Sequence, residues 1–153
     1  MNSKKPTISS QNEWSSNPSE ATPYDDESIS GAINRQAPER SWLLARQAAR
    51  TAIREGGHDV VVLDMTEHSA LFDYFVIATG TSRRQLHAMS EEIDHVLEDE
   101  LNDKRMNIDG YDESRWIVLD YGTVVIHLFD EETRLFYALE TLWSDASRVS
   151  LDG

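Results

Sequence analysis

Cysteine is absent from the 153 residues. That excludes a disulfide framework, a thiolate metal site and a cysteine nucleophile. Basic side chains are scarce: 14 Lys and Arg stand against 28 Asp and Glu, a formal net charge of −14. Phosphate backbones are bound through Lys and Arg, so the chain is a poor direct binder of nucleic acid. The imbalance suits a basic partner and would speed encounter with it at low salt; it also serves solubility. No apolar run approaches the ~18 residues that a membrane-spanning helix needs. The opening MNSKKPTISSQNEW carries two lysines with no apolar core behind them, which argues against a secretory signal. The expected location is therefore the cytoplasm.

The composition changes near residue 40. Residues 1–40, rich in Ser, Asn, Pro, Glu and Asp, show no sustained period and read as a disordered polar tail. Trp14, Tyr24 and Ile29 are its isolated candidate anchors. Residues 41–153 have the regular patterning of one domain.

Within that domain, SWLLARQAARTAIREGG reads as a helix with Ser41 as its cap. Leu44, Ala48, Thr51 and Ala52 lie on one stripe, and Gly56-Gly57 is the stop. HDVVVLDM follows as a strand whose continuous apolar centre suggests cover on both faces. SALFDYFVIATG is a second strand ending at Gly80. A long helix, SRRQLHAMSEEIDHVLEDEL, opens on a Ser82/Gln85 capping box and turns Leu86, Met89, Ile93, Val96, Leu97 and Leu101 inward. A short strand is expected at Met106–Ile108. The last helix, DEETRLFYALETLW, is capped by Asp130, with Leu135, Leu139 and Leu142 facing inward. The fold class is α/β (α+β): a mixed sheet of about five strands packed by helices, in the order α-β-β-α-β-β-β-α.

Between the last two helices lies RWIVLDYGTVVIHLF (Arg115–Phe129), a hairpin with unequal faces. A tight turn at Tyr121-Gly122 pairs Asp120 with Thr123, Val118 with Val125 and Trp116 with His127. Ile117, Leu119, Val124, Ile126 and Leu128 make one purely aliphatic face, which belongs under the helices. The other face mixes Trp116, Val118, Asp120, Val125, His127 and Phe129. Deep core would demand partners for Asp120 and His127, and an ordinary wet face would not carry so many apolar groups. A protein-docking surface fits, with an aromatic to supply area and a carboxylate to meet Lys or Arg. Cover by a helix or by the tail fits the pattern equally.

Other groups that could carry chemistry are weaker. His87, Glu91 and His95 share a helix face at metal-ligand spacing, but no further ligand is evident and a solvated face explains them. Ser82 has no GxSxG around it. The Thr79–Arg84 part of TGTSRRQ, a glycine after a strand and two arginines at a helix start, could hold an anion; a capped strand-to-helix turn explains it as well. The acidic cluster at Glu91, Glu92 and Asp94 points away from that turn.

The run from Asp73 to Arg83 (DYFVIATGTSR), the set Trp116, Asp120, Gly122 and His127, and the terminal LETLW together resemble the Iojap-like ribosomal silencing factor family (RsfS). The resemblance runs in order over residues 43–151. It implies a nucleotidyltransferase-like fold without paired metal-binding aspartates; here too no Asp-x-Asp strand follows Gly80-Thr81-Ser82. It implies a non-enzyme, with no catalytic residue, metal or cofactor. The implied partner is the large ribosomal subunit, met at its basic ribosomal protein number fourteen. The implied effect is steric: joining of the small subunit is blocked and translation falls when nutrients are scarce. A part in large-subunit assembly goes with it. The implied contact surface is the open sheet face, at Trp116, Asp120, Tyr121, Gly122 and His127; the pleat adds Val118 and Val125. Asp64 or Asp73 could assist Asp120. A nucleotidyltransferase-like enzyme using the Thr79–Arg84 turn, and a homodimer of the free protein through the open face, stay open beside this.

Overall fold

The computed structural model describes residues 38–152. The expected tail up to residue 37, with Trp14, Tyr24 and Ile29, lies outside the described residues. Helix α1 (Pro38–Arg54) precedes strands β1 (His58–Asp64) and β2 (Tyr74–Gly80), helix α2 (Arg83–Leu101) and strands β3 (Asn107–Asp109), β4 (Trp116–Asp120) and β5 (Val124–Asp130). Helices α3 (Glu131–Tyr137) and α4 (Leu139–Leu142) and strand β6 (Ser147–Arg148) follow. The sheet has six strands in the order β3-β4-β5-β2-β1-β6. Only β2 and β5 pair in parallel; the other neighbours are antiparallel. The sixth strand, absent from the sequence reading, is two exposed polar residues held by Leu63 and Asp64. Such a segment has no apolar alternation to announce it.

Helices α1 and α2 cover one face of the sheet. Leu44, Ala48 and Ala52 of α1 and Leu86, Met89, Ile93 and Leu97 of α2 bury against Ile117, Leu119, Val124, Ile126 and Leu128. The aliphatic hairpin face is therefore the floor of the main core, as its pattern predicts. Ser82 caps α2 by accepting from the Gln85 N–H at 3.0 Å. The Gln85 side chain reaches back to the Thr81 N–H, one residue before the cap, at 2.6 Å. Gly80 packs closely under α2: a Cβ there would stand 2.8 Å from Leu86 Cδ2 and 2.9 Å from Met89 Cε, so the ends of those side chains would have to shift.

Two expectations are corrected. Helix α1 begins at Pro38, a residue suited to a first turn, so Ser41 is not its cap. Ser41 is fully buried; its Oγ donates to Asp73 Oδ2 at 2.7 Å and shares a 2.9 Å hydrogen bond with Thr123 Oγ1. It pins α1 to the loops that enter β2 and β5. The last helix is two short ones, broken at Ala138, whose φ of 47° is left-handed. The buried position of α3 is Arg134, so Leu135 and Leu142 do not face inward; they are 76% and 69% exposed. Only Leu139 packs, against the second core cluster.

Ser41→Ala removes a donor from a buried carboxylate and should lower unfolding free energy by about 1–3 kcal/mol, measured by urea titration. A change below about 0.5 kcal/mol, the level of an inert surface substitution, would show that the Ser41 bond does not hold α1.

Candidate functional site

The mixed hairpin face keeps its composition but not its expected pairing. Observed partners are Trp116 with Phe129, Val118 with His127 and Asp120 with Val125. The shift is two residues, so every side chain stays on its face. It arises because the turn is wider: Tyr121 N–H bonds the Val124 carbonyl at 2.9 Å, and Gly122 N–H bonds Asp120 Oδ1 at 2.8 Å. Gly122 holds a φ of +89°, which fits glycine at this turn.

This face is divided between the chain's own cover and the surface. Leu139, Trp143 and Ala146 lie in the cluster formed with Leu63, Phe75 and Ile77; the Trp143 ring meets Phe75 edge-on, centroids 6.2 Å apart. Val125 and Phe129 are buried, whereas Trp116, Val118 and Asp120 remain half-exposed. The Trp116 indole stacks on Phe129 at 4.9 Å and tilts against Tyr137 at 4.7 Å. Its Nε1–H donates to His127 Nδ1 at 3.1 Å. Beside Tyr137 opens a shallow pocket of about 330 Å³ lined by Arg115, Glu132, Thr133 and Phe136. Phe136, 78% exposed, and Leu135 extend the apolar surface along α3.

His127 is only 8% exposed and does not reach the surface as a contact residue. An indole N–H can only donate, so Nδ1 is the acceptor and the neutral ring carries its proton on Nε2. Burial drives its pKa down to about 4. Tyr121, expected in the contact surface on the open sheet face, is corrected: it is 2% exposed, packs in the helix-side core and donates its hydroxyl to Asp94 of α2. Burial, then that hydrogen bond, raises its pKa. Asp73 is likewise buried and bonded to Ser41. Asp64 alternates with Leu63 onto the helix side, and its Oδ1 accepts from Thr66. Neither can stand beside Asp120. The exposed residues of α3 and α4 escape the sequence reading because Leu135 and Leu142 fall at inward helical spacing, and no sequence signal marks Ala138 as a break.

The rival sites have internal occupants. His87 Nε2 meets the Tyr111 carbonyl at 2.8 Å and Ser114 Oγ at 2.6 Å. The carbonyl only accepts, so His87 donates there and is no base for Ser114. Glu91 accepts from the Tyr111 hydroxyl, and His95 pairs with Asp99. No metal-competent cluster of three such groups occurs among the described residues. At the Thr79–Arg84 turn, Arg83 donates to the Asp112 carbonyl at 3.0 Å, and Thr79 Oγ1 accepts from Arg134 at 2.7 Å. A cleft of about 570 Å³ lies alongside, crossed by Arg134 and Glu140. Burial alone would raise the Glu140 pKa, but the hydrogen bond and charge of Arg134 outweigh it and the net shift is downward. Among the described residues no helix is long and apolar enough to cross a membrane.

Residues 36–153 match the family model described as "RsfS: Ribosomal silencing factor during starvation". The chain belongs to the RsfS family. It is 40% identical over 110 residues to the ribosomal silencing factor RsfS of Bacillus subtilis, covering 71% of this chain and 92% of that one. It is 38% identical over 93 residues to the mouse "Mitochondrial assembly of ribosomal large subunit protein 1", covering 60% and 41%. A crystal structure from Bacillus halodurans superposes with a TM-score of 0.63 at 31% identity, covering 71% of this chain and 98% of that one. An RsfS-family chain is a silencing factor and not an enzyme.

Buried neutral His127 also sets a pH dependence. The unfolded chain takes up this proton near pH 6.5, the folded one near pH 4. Between them the unfolded state binds more protons, so stability is full above about pH 6.5 and falls as pH drops toward 4. The gap corresponds to about 3 kcal/mol. In urea titrations, wild type should lose about 2–3 kcal/mol more than His127→Phe between pH 7 and pH 4.5; parallel losses would show that the ring is not held neutral.

Proposed function

We propose that this protein represses translation by lying on the large ribosomal subunit through Trp116, Val118 and Asp120. Its contact there is the basic ribosomal protein number fourteen, and its bulk obstructs the small subunit. Aid to large-subunit assembly belongs to the same reading, and the name of the mouse relative points the same way. The kinship of the fold with nucleotidyltransferases is part of the proposal too.

The observation that carries it is the half-exposed Trp116, held on a rigid strand and continuous with the apolar surface of Tyr137 and Phe136. Aromatic anchors beside a pocket are where binding energy concentrates. A net charge of −14 suits a cationic partner. Asp120, at the other end of β4 from Trp116 and on the same face, offers a carboxylate with one oxygen engaged by Gly122. The rival reading, phosphate binding at the Thr79–Arg84 turn, is weakened because the Thr81 N–H and one Arg83 nitrogen already donate within the chain, to Gln85 Oε1 and the Asp112 carbonyl.

Trp116→Ala should weaken co-sedimentation with large subunits by about 30- to 1000-fold in Kd, the effect of a central aromatic anchor. Circular dichroism would confirm that the variant is folded, since the ring also packs on Phe129. Undiminished pelleting would remove this face from consideration. Asp120→Asn keeps an acceptor for Gly122 and loses only charge. Binding should weaken about 3- to 10-fold at low salt and the difference should shrink as salt rises; a loss independent of salt would deny an ionic contact.

A further inference from the structure

The second sheet face contains a group that packing alone does not explain. His127 is buried among Phe75, Val125 and Phe129, where an apolar ring would fit the surroundings. Its Nε2 is fully enclosed and has no hydrogen-bond partner. With the proton on that nitrogen, the ring carries an enclosed N–H donor with nothing to receive it, a standing cost to stability. The same ring makes one polar contact, through Nδ1, to the Trp116 indole.

The other contacts of Trp116 are less directional. Phe129 stacks beneath it with ring planes 25° apart, and Tyr137 leans on it at 45°. Both tolerate sliding and rotation of the indole, because ring contacts are broad in geometry. The hydrogen bond to His127 singles out one edge of the indole and one direction. It turns the N–H inward, and with it fixes which edge of the half-exposed ring remains toward solvent.

We propose that His127 is a positioning residue for docking: it holds Trp116 in the orientation that the partner meets and does not touch the partner itself. This rests on Trp116 being the docking anchor. The loss of stability caused by the enclosed Nε2–H is tolerated because Nδ1 presents a lone pair to the indole. Asparagine could reproduce that role, its Oδ1 standing where Nδ1 stands, whereas phenylalanine preserves volume and removes the acceptor.

The test is a double-mutant cycle on binding of the full chain to purified large subunits, with Trp116→Ala, His127→Phe and the pair. His127→Phe should weaken binding about 3- to 10-fold, the yield of one lost orienting hydrogen bond. At pH 7 its stability should be unchanged or higher. In the Trp116→Ala background, His127→Phe should have no further effect, because its route to the partner is gone. His127→Asn should recover most of the wild-type affinity. Independent losses in the double variant would overturn the proposal, as would full binding by His127→Phe when Trp116→Ala binds poorly. If Trp116→Ala itself binds fully, the docking face is wrong and the positioning role falls with it. A readout that needs no variant is exchange of the Trp116 indole N–H in the wild-type protein by NMR: slow exchange is expected, and exchange as fast as that of a free indole would overturn the proposal even if His127→Phe does not fold.

Discussion

Strand β5 is buried on both sides from Val124 to Phe129, and the pleat commits each of its side chains to one layer or the other. Even positions meet the helices and odd positions meet the thinner layer formed with Leu139, Trp143 and Ala146. Because β5 also pairs with β4 and β2, it sets the depth of everything beside it. A one-residue slip would put His127 under α1 and α2 and turn Ile126 toward the open side. The seven-residue parallel pairing with β2 and the hairpin to β4 both resist such a slip.

The two layers handle polarity differently. On the helix side, buried polar groups close on one another: Ser41 with Asp73 and Thr123, Tyr121 with Asp94. On the other side Arg134 reaches both Thr79 and Glu140, tying β2 to the two short helices. His127 alone among the buried side chains of β5 leaves a polar atom unpaired. The helix layer thus closes these groups within itself, though Arg46 Nε of α1 is enclosed without a partner, while the thinner layer retains partly open aromatic surface.

The fold was legible where periodicity was strong. The long stripe of α2, the alternation of β4 and β5 and the caps at Ser82 and Asp130 all reappear in the structure. The candidate site was legible as a face but not as a depth. Alternation tells which side Trp116, Val118, Asp120 and His127 share, yet burial of His127 depends on what packs over Phe75 and Phe129. Tyr121 was misplaced because a wider turn swings its ring back over Asp94, and turn width is poorly encoded by Tyr-Gly. Ser41 looked like a cap because serine before an apolar run is a common start signal; the buried carboxylate that recruits it lies 32 residues away in sequence.

Ala138 ends α3 after seven residues by taking a left-handed turn that a Cβ resists. The break leaves Leu135, Phe136 and Leu142 pointing to water. Such a ridge on a near-neutral protein would invite copies to coalesce. Here the surplus of carboxylates supplies mutual repulsion, which reaches about 8 Å at physiological ionic strength and about 3 Å in molar salt. Colloidal behaviour is therefore tied to a backbone kink: dilute buffer should keep solutions clear, and concentrated salt should bring on clustering.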